Sequence, residues 1–173
     1  MVKSSSRRNF LRSASLAATA VGLPLSSGPI FAEPAESATP QPFQLFTAGK
    51  LADAMKGVQA HPGNDNLFQN PALPLTIVMT TEEKKAAKEF EYHEGRDHIF
   101  QILEGSTSYE LGGTPENPRN TKPGEWLASG SQGAKTVALH KGDMLVVPRG
   151  TPHRRTTENS VTLILISAEG AKA

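Results

Sequence analysis

Glu91, His93 and His98 fall close together in the stretch EYHEGRDHIFQILEG, which runs from Glu91 to Gly105. Imidazole nitrogen and carboxylate oxygen are both ligands for divalent transition metals. A carboxylate that is not a ligand can act as a base beside a bound substrate. The chain contains no cysteine, which excludes disulfides, thiolate metal sites and cysteine nucleophiles.

The elements around these residues decide whether they can meet. KEFEYH alternates as a strand does, so Glu91 and His93 share one face while Phe90 and Tyr92 share the other. EGRD reads as a tight turn, with Glu94, Arg96 and Asp97 as turn residues. His98 opens the next strand, HIFQIL, which Gly105 closes. Glu91, His93 and His98 can therefore converge. Phe100 and Ile102 share the face of His98 and are expected to line a pocket there, with Gln101 pointing away.

The rest of the chain after Leu75 reads the same way. LTIVMT, STSYEL, KTVAL, DMLVV and VTLILIS are short apolar or alternating runs separated by Gly, Pro or Asn. That pattern predicts an all-β sandwich or barrel. Before it, Leu51, Ala54, Met55 and Val58 keep helical spacing and predict one short helix, with Thr47 near its start and Gly57 near its end. HPGNDN and NPALP read as turns. Residues 112–134 form a long polar connection that holds the only tryptophan, Trp126, as a candidate substrate wall.

Downstream, Gly142 is followed after five residues by Pro148, then by Gly150 and His153. This spacing, with the upstream stretch, resembles the two motifs of the cupin family, G-x5-H-x-H-x3-4-E-x6-G and G-x5-P-x-G-x2-H-x3-N. The resemblance spans about residues 75 to 168. It implies an all-β, cupin-type β-barrel or jelly roll over 75–170, preceded by an arm, 43–74, that carries the helix. Thr157 stands where the second motif ends in Asn. In the first motif His98 falls on the glutamate, His93 on the second histidine and Glu91 on the first. The usual inventory of three histidines and one glutamate survives with two members exchanged.

The resemblance implies metal binding by His93, His98 and His153, with Glu91 as a fourth ligand or as the catalytic base. The expected cofactor is one divalent transition metal, iron first, with manganese, zinc or nickel as alternatives. The expected partner is a small-molecule substrate. A dioxygenase-type oxidoreductase is the first reading. A manganese- or zinc-dependent isomerase or lyase on sugar acids is the second, and a non-catalytic small-ligand or metal-binding protein the third. Cupins commonly pair, so a homodimer is expected. Arg149 and Arg154 flank His153 and could meet an anionic substrate. His61 and His140 read as surface residues.

The N-terminus carries a separate message. Residues 1–32 hold Lys3, Arg7, Arg8 and Arg12 and no acid, and a short apolar run, Leu16 to Leu25, follows. Ser6-Arg7-Arg8-Asn9-Phe10-Leu11-Arg12 resembles the bacterial twin-arginine export signal. It implies the twin-arginine machinery as a partner, cleavage near Ala32, a flexible tether over 33–42, and a periplasmic or secreted destination for a chain exported folded. The apolar run is too short to span a bilayer. Without the leader, the 18 Lys+Arg become 14 against 17 Asp+Glu, a net of −3. A mildly acidic chain gives no electrostatic reason to expect nucleic acid.

Overall fold

The computed structural model describes residues 43–170. The expected export signal and tether lie outside the described residues. Helix α1 (Ala48–Ala60) starts where Thr47 Oγ1 accepts from Lys50 N–H at 3.3 Å, an N-cap. It runs past Gly57, and His61 N–H closes it by donating to the Gly57 carbonyl. Val58 is its buried residue.

The strands follow in order: β1 (Asn64–Gln69), β2 (Leu75–Ala86), β3 (Phe90–His93), β4 (Arg96–Leu111), β5 (Thr114–Glu116), β6 (Arg119–Lys122), β7 (Glu125–Ala128), β8 (Gly130–Gln132), β9 (Lys135–His140), β10 (Met144–Val147) and β11 (His153–Glu169). All pairings are antiparallel. Among the described residues the fold is therefore all-β with one short helix ahead of the sheet, as the spacing predicts.

The two longest strands organise the sheet. β11 pairs with β4 from His153↔Leu111 to Ala168↔Asp97 and Glu169↔Arg96. Its other edge takes β2, which in turn takes β1, and at His153 it meets Glu91 of β3. From β3 the ladder continues to β7 and β6, while β4 also carries β9 and β10. β5 and β8 form a separate pair. Phe100, Ile102 and Tyr109 of β4, Val161 and Leu163 of β11, Leu139 of β9 and Val147 of β10 form the buried core. Each large apolar side chain there stabilises the fold by about 1.5–3 kcal/mol relative to exposure.

Several expectations need correction. HIFQIL and STSYEL belong to one strand. Gly105 does not end it but sits within it at φ +75°, opposite Val161, where the β11 register slips between Thr156 and Val161. A Cβ at Gly105 would run into the Ser160 carbonyl oxygen, so only glycine fits this crossing without strain. HPGNDN is not wholly turn. Asn64 to Asn66 already pair with β2 as an edge strand, where backbone bonding on one side suffices for a polar sequence. Residues 112–134 are not one loop but carry β5 to β8. Their side chains are mostly polar, so no apolar alternation announces them. Arg96 and Asp97 are strand residues, each held by an ion pair rather than free in a turn. Among the described residues, no helix is long and apolar enough to cross a membrane.

Candidate metal centre

Three strands deliver the three histidines. His93 ends β3, His98 lies near the start of β4, and His153 starts β11. Strand pairing brings them together: His153 is registered with Glu91 of β3, while β4 and β11 run side by side. One ligand atom from each histidine lies within 4.8 Å of those of the other two. All three side chains are buried, between 3 and 6% exposed. Ring centroids are 4.7 Å apart for His93–His98, 5.6 Å for His93–His153 and 5.4 Å for His98–His153.

The outer nitrogens of two rings are held from behind. His93 Nδ1 lies 2.7 Å from Glu125 Oε2, and His153 Nδ1 lies 2.9 Å from the Thr151 carbonyl oxygen. If each Nδ1 carries the hydrogen, each Nε2 keeps its lone pair. Those atoms, His93 Nε2 and His153 Nε2, are buried without a hydrogen-bond partner, as is His98 Nδ1. Buried polar atoms without partners are uncommon, and three converging imidazole nitrogens are the donor set of a divalent transition metal. The residues present fit such an ion.

Glu91 stands beside this set rather than inside it. Its Oε1 is 3.4 Å from His153 Nε2, longer than a good hydrogen bond, and its side chain is 52% exposed. It is thus placed at the open side, where a fourth ligand or a base would stand. When His153 carries a hydrogen on Nε2 as well as Nδ1, it draws the Glu91 carboxyl down to about 2, with His93 and His98 adding to the effect and burial opposing it. Burial, and then the neighbouring His93 and His153, push His98 down to about 3. Burial also lowers His93, with Arg96 adding to the effect and Glu125 and Glu91 opposing it. At neutral pH His93 and His98 are then neutral and the carboxylate charged, the states that a cation requires.

A cavity of about 380 Å³ opens onto His98, His153 and Glu91. Phe100 lines it, as expected. Ile102 does not: it is 1% exposed and packed in the core. Trp126 is also absent from the lining. It stacks on Tyr92 at 5.8 Å and its Nε1–H donates to Glu94 at 2.9 Å, while the adjacent Leu127, registered with Glu91, faces the cavity. The one-residue difference follows from strand alternation. Arg149 and Arg154 are engaged elsewhere. Arg149 is paired with Asp97, and Arg154 is paired with Glu110 and lies over the Phe90 ring at 4.6 Å. The arginine that lines the cavity is Arg155.

Sequence reasoning misses Glu125, Arg155, Tyr109 and Glu82. Glu125 falls inside the stretch expected to be a loop, and only its register with His93 exposes it. The other three come from separate strands and meet only in the folded chain. Thr157, where the second motif expects Asn, joins them: its Oγ1 donates to Glu82 Oε1 at 3.0 Å.

No protein-family model matches the chain, and no curated protein does. Solved structures do show similarity. A cupin superfamily protein from Desulfitobacterium hafniense is 16% identical, over 62% of this chain and 77% of that one, with a TM-score of 0.45. A protein from Shewanella frigidimarina that contains a cupin-2 domain is 14% identical, over 69% and 92%, with a TM-score of 0.47. KdgF from a Halomonas species is 19% identical, over 62% and 80%, with a TM-score of 0.42. At such values these likenesses say nothing about what this chain binds or does.

Proposed function

We propose that the chain is an exported metal-binding protein of the cupin type, and an enzyme that acts on a small organic molecule. The single observation that carries this reading is the buried convergence of three imidazoles with unpartnered nitrogens, two of which, His98 and His153, line a cavity. His93, His98 and His153 would hold the ion, and Glu91 at its open side would be a fourth ligand or a base. A divalent ion held mainly by neutral imidazoles supplies Lewis-acid or redox chemistry with positions left for other ligands. The surrounding residues shape what reaches it. Phe100, edge-on to His98 at 5.6 Å, and Leu127 keep one side of the cavity apolar, and Glu91 can accept a proton at Oε1. Iron and dioxygenase-type oxidation of the bound molecule are the first reading of this site. The leader SRRNFLR supports export by the twin-arginine route, which delivers a chain already folded around its ion.

Metal analysis tests the reading. The full chain, purified without chelator or added metal, is expected to carry about one transition-metal ion per chain. Adding that ion to chelator-stripped protein should raise Tm, and at a hundredfold excess over Kd the stabilisation is about 2.7 kcal/mol. His98→Ala should abolish that rise while remaining folded. A folded chain that holds no metal, refuses added metal and melts identically with and without it would sink the proposal. Iron with oxygen consumption supports the dioxygenase form. Zinc or manganese without oxygen consumption removes it.

A further inference from the structure

Tyr109, Arg155, Glu82 and Lys85 line the same cavity as His98 and His153. Arg155 Nε and Nη2 donate to the two oxygens of Glu82 at 3.1 and 2.8 Å, and Nη1 donates to Tyr109 Oη at 3.2 Å. Glu82 is itself fixed by Thr157, which also contacts Thr107. The guanidinium is thereby held in one orientation, and these three bonds leave two of its five N–H hydrogens unused.

Tyr109 carries the second observation. Its side chain is 1% exposed, and because its oxygen accepts from Arg155, its own hydrogen is left to donate. Among the described residues that hydrogen has no acceptor. Burial raises the phenol to about 12, so the hydrogen stays in place across the physiological range. A buried hydroxyl at a cavity wall with an unused hydrogen calls for an acceptor from the ligand.

The charged lining is matched: Lys85, Lys88 and Arg155 stand against Glu82, Glu89 and Glu91. Lys85 and Arg155 both pair with Glu82, at 3.1 and 2.8 Å, and Glu89 pairs with Arg119 at 2.7 Å. The unused hydrogens of Arg155 and Tyr109, rather than a net charge, are what an anionic group would meet. The apolar part of the wall is made by Phe100, Leu127 and Leu165, and the Phe100 ring lies 5.6 Å from His98 and 4.9 Å from Tyr109.

We propose that the cavity takes a small organic acid, its carboxylate at Tyr109 and Arg155 and its apolar body along Phe100, Leu127 and Leu165. This deepens the function proposed above and rests on it only for the assignment of the opposite end of the ligand to the histidine site. Arg155 and Tyr109 are binding groups in this arrangement, and Glu82 is a positioning residue that acts through Arg155.

Amide NMR titration of the isotope-labelled full chain tests the proposal. Benzoate and hexanoate are each compared with the neutral benzamide and hexanamide, once with chelator and once with zinc. Each acid is expected to bind at least about tenfold tighter than its amide, with shifts centred on Tyr109, Arg155 and Leu165. Tyr109→Phe keeps the ring and should weaken acid binding by roughly tenfold or more, the loss of one hydrogen bond to a charged group, without weakening amide binding as much. Equal affinity for acid and amide, no binding by either acid, or unchanged acid binding in a folded Tyr109→Phe variant would overturn it. The wild-type comparison alone decides if that variant does not fold. Acid binding in a chain that never takes up zinc condemns the metal reading only. Zinc uptake without acid binding condemns this one only.

Discussion

Glu125 Oε2 lies 2.7 Å from His93 Nδ1, on strands registered so that the two residues are direct partners. The other carboxylate oxygen accepts from the Arg96 guanidinium. One acid thus locks the ring of a candidate ligand from outside the site. Carboxylates behind metal-binding imidazoles fix ring orientation and raise ligand basicity.

Removing that support should be felt at the metal. Glu125→Ala is expected to weaken metal affinity roughly 10- to 100-fold, and Glu125→Gln, which can still accept a hydrogen bond, should weaken it less. Competition against a chromogenic chelator measures both, with circular dichroism as the check on folding. Equal affinities in wild type and Glu125→Ala would mean that the contact serves the fold alone.

Gly105 is a second test, independent of metal. Its φ of +75° and the Ser160 carbonyl facing its missing side chain leave no room for Cβ. Gly105→Ala should lower stability by about 1–3 kcal/mol or more in urea denaturation, through strain at the crossing of β4 and β11. Gly133 has a similar φ of +80°, but no atom lies within 4 Å of the place its methyl group would take, so Gly133→Ala should cost less. A reversed order would show that the clash at Gly105 relaxes cheaply.

Acid should weaken the fold through Glu82. Burial alone would raise its carboxyl, but Arg155, Lys85 and Thr157 outweigh burial and hold it below its ordinary value of 4.5. The folded state therefore takes up the proton less readily than the unfolded chain does. The stabilisation is complete above the ordinary value and declines as pH falls through it and on through the folded value. Glu82→Gln should lower Tm at neutral pH and give a shallower fall of Tm on acidification from about pH 6 to pH 3. Parallel profiles for the variant and wild type would remove Glu82 from the account.

Much of the site is legible in the residues themselves. Period-two alternation places Glu91 with His93 and Phe100 with His98, because strand geometry sends every second side chain to one face. The Gly142–His153 spacing, through its resemblance to the second cupin motif, implies a third histidine from a distant strand, and the structure brings it within reach of the other two. The apolar runs also mark most of the sheet, since burial leaves a composition that can be read locally.

Tertiary structure decided what pairing alone controls. Polar edge strands such as β1 and β6 are held by backbone hydrogen bonds, and their side chains need carry no pattern. Leu127 takes the wall position expected of Trp126 because register, which no single strand encodes, chooses the face. Glu125 meets His93, and Arg155 of β11 meets Glu82 of β2 and Tyr109 of β4, across separations of 32, 73 and 46 residues. The sequence by itself determined the ligand types and the faces they share within each strand. Which distant charges stand behind them and across the cavity was set by the antiparallel register of β4, β11 and their neighbours, because that register is a cooperative property of all the strands at once.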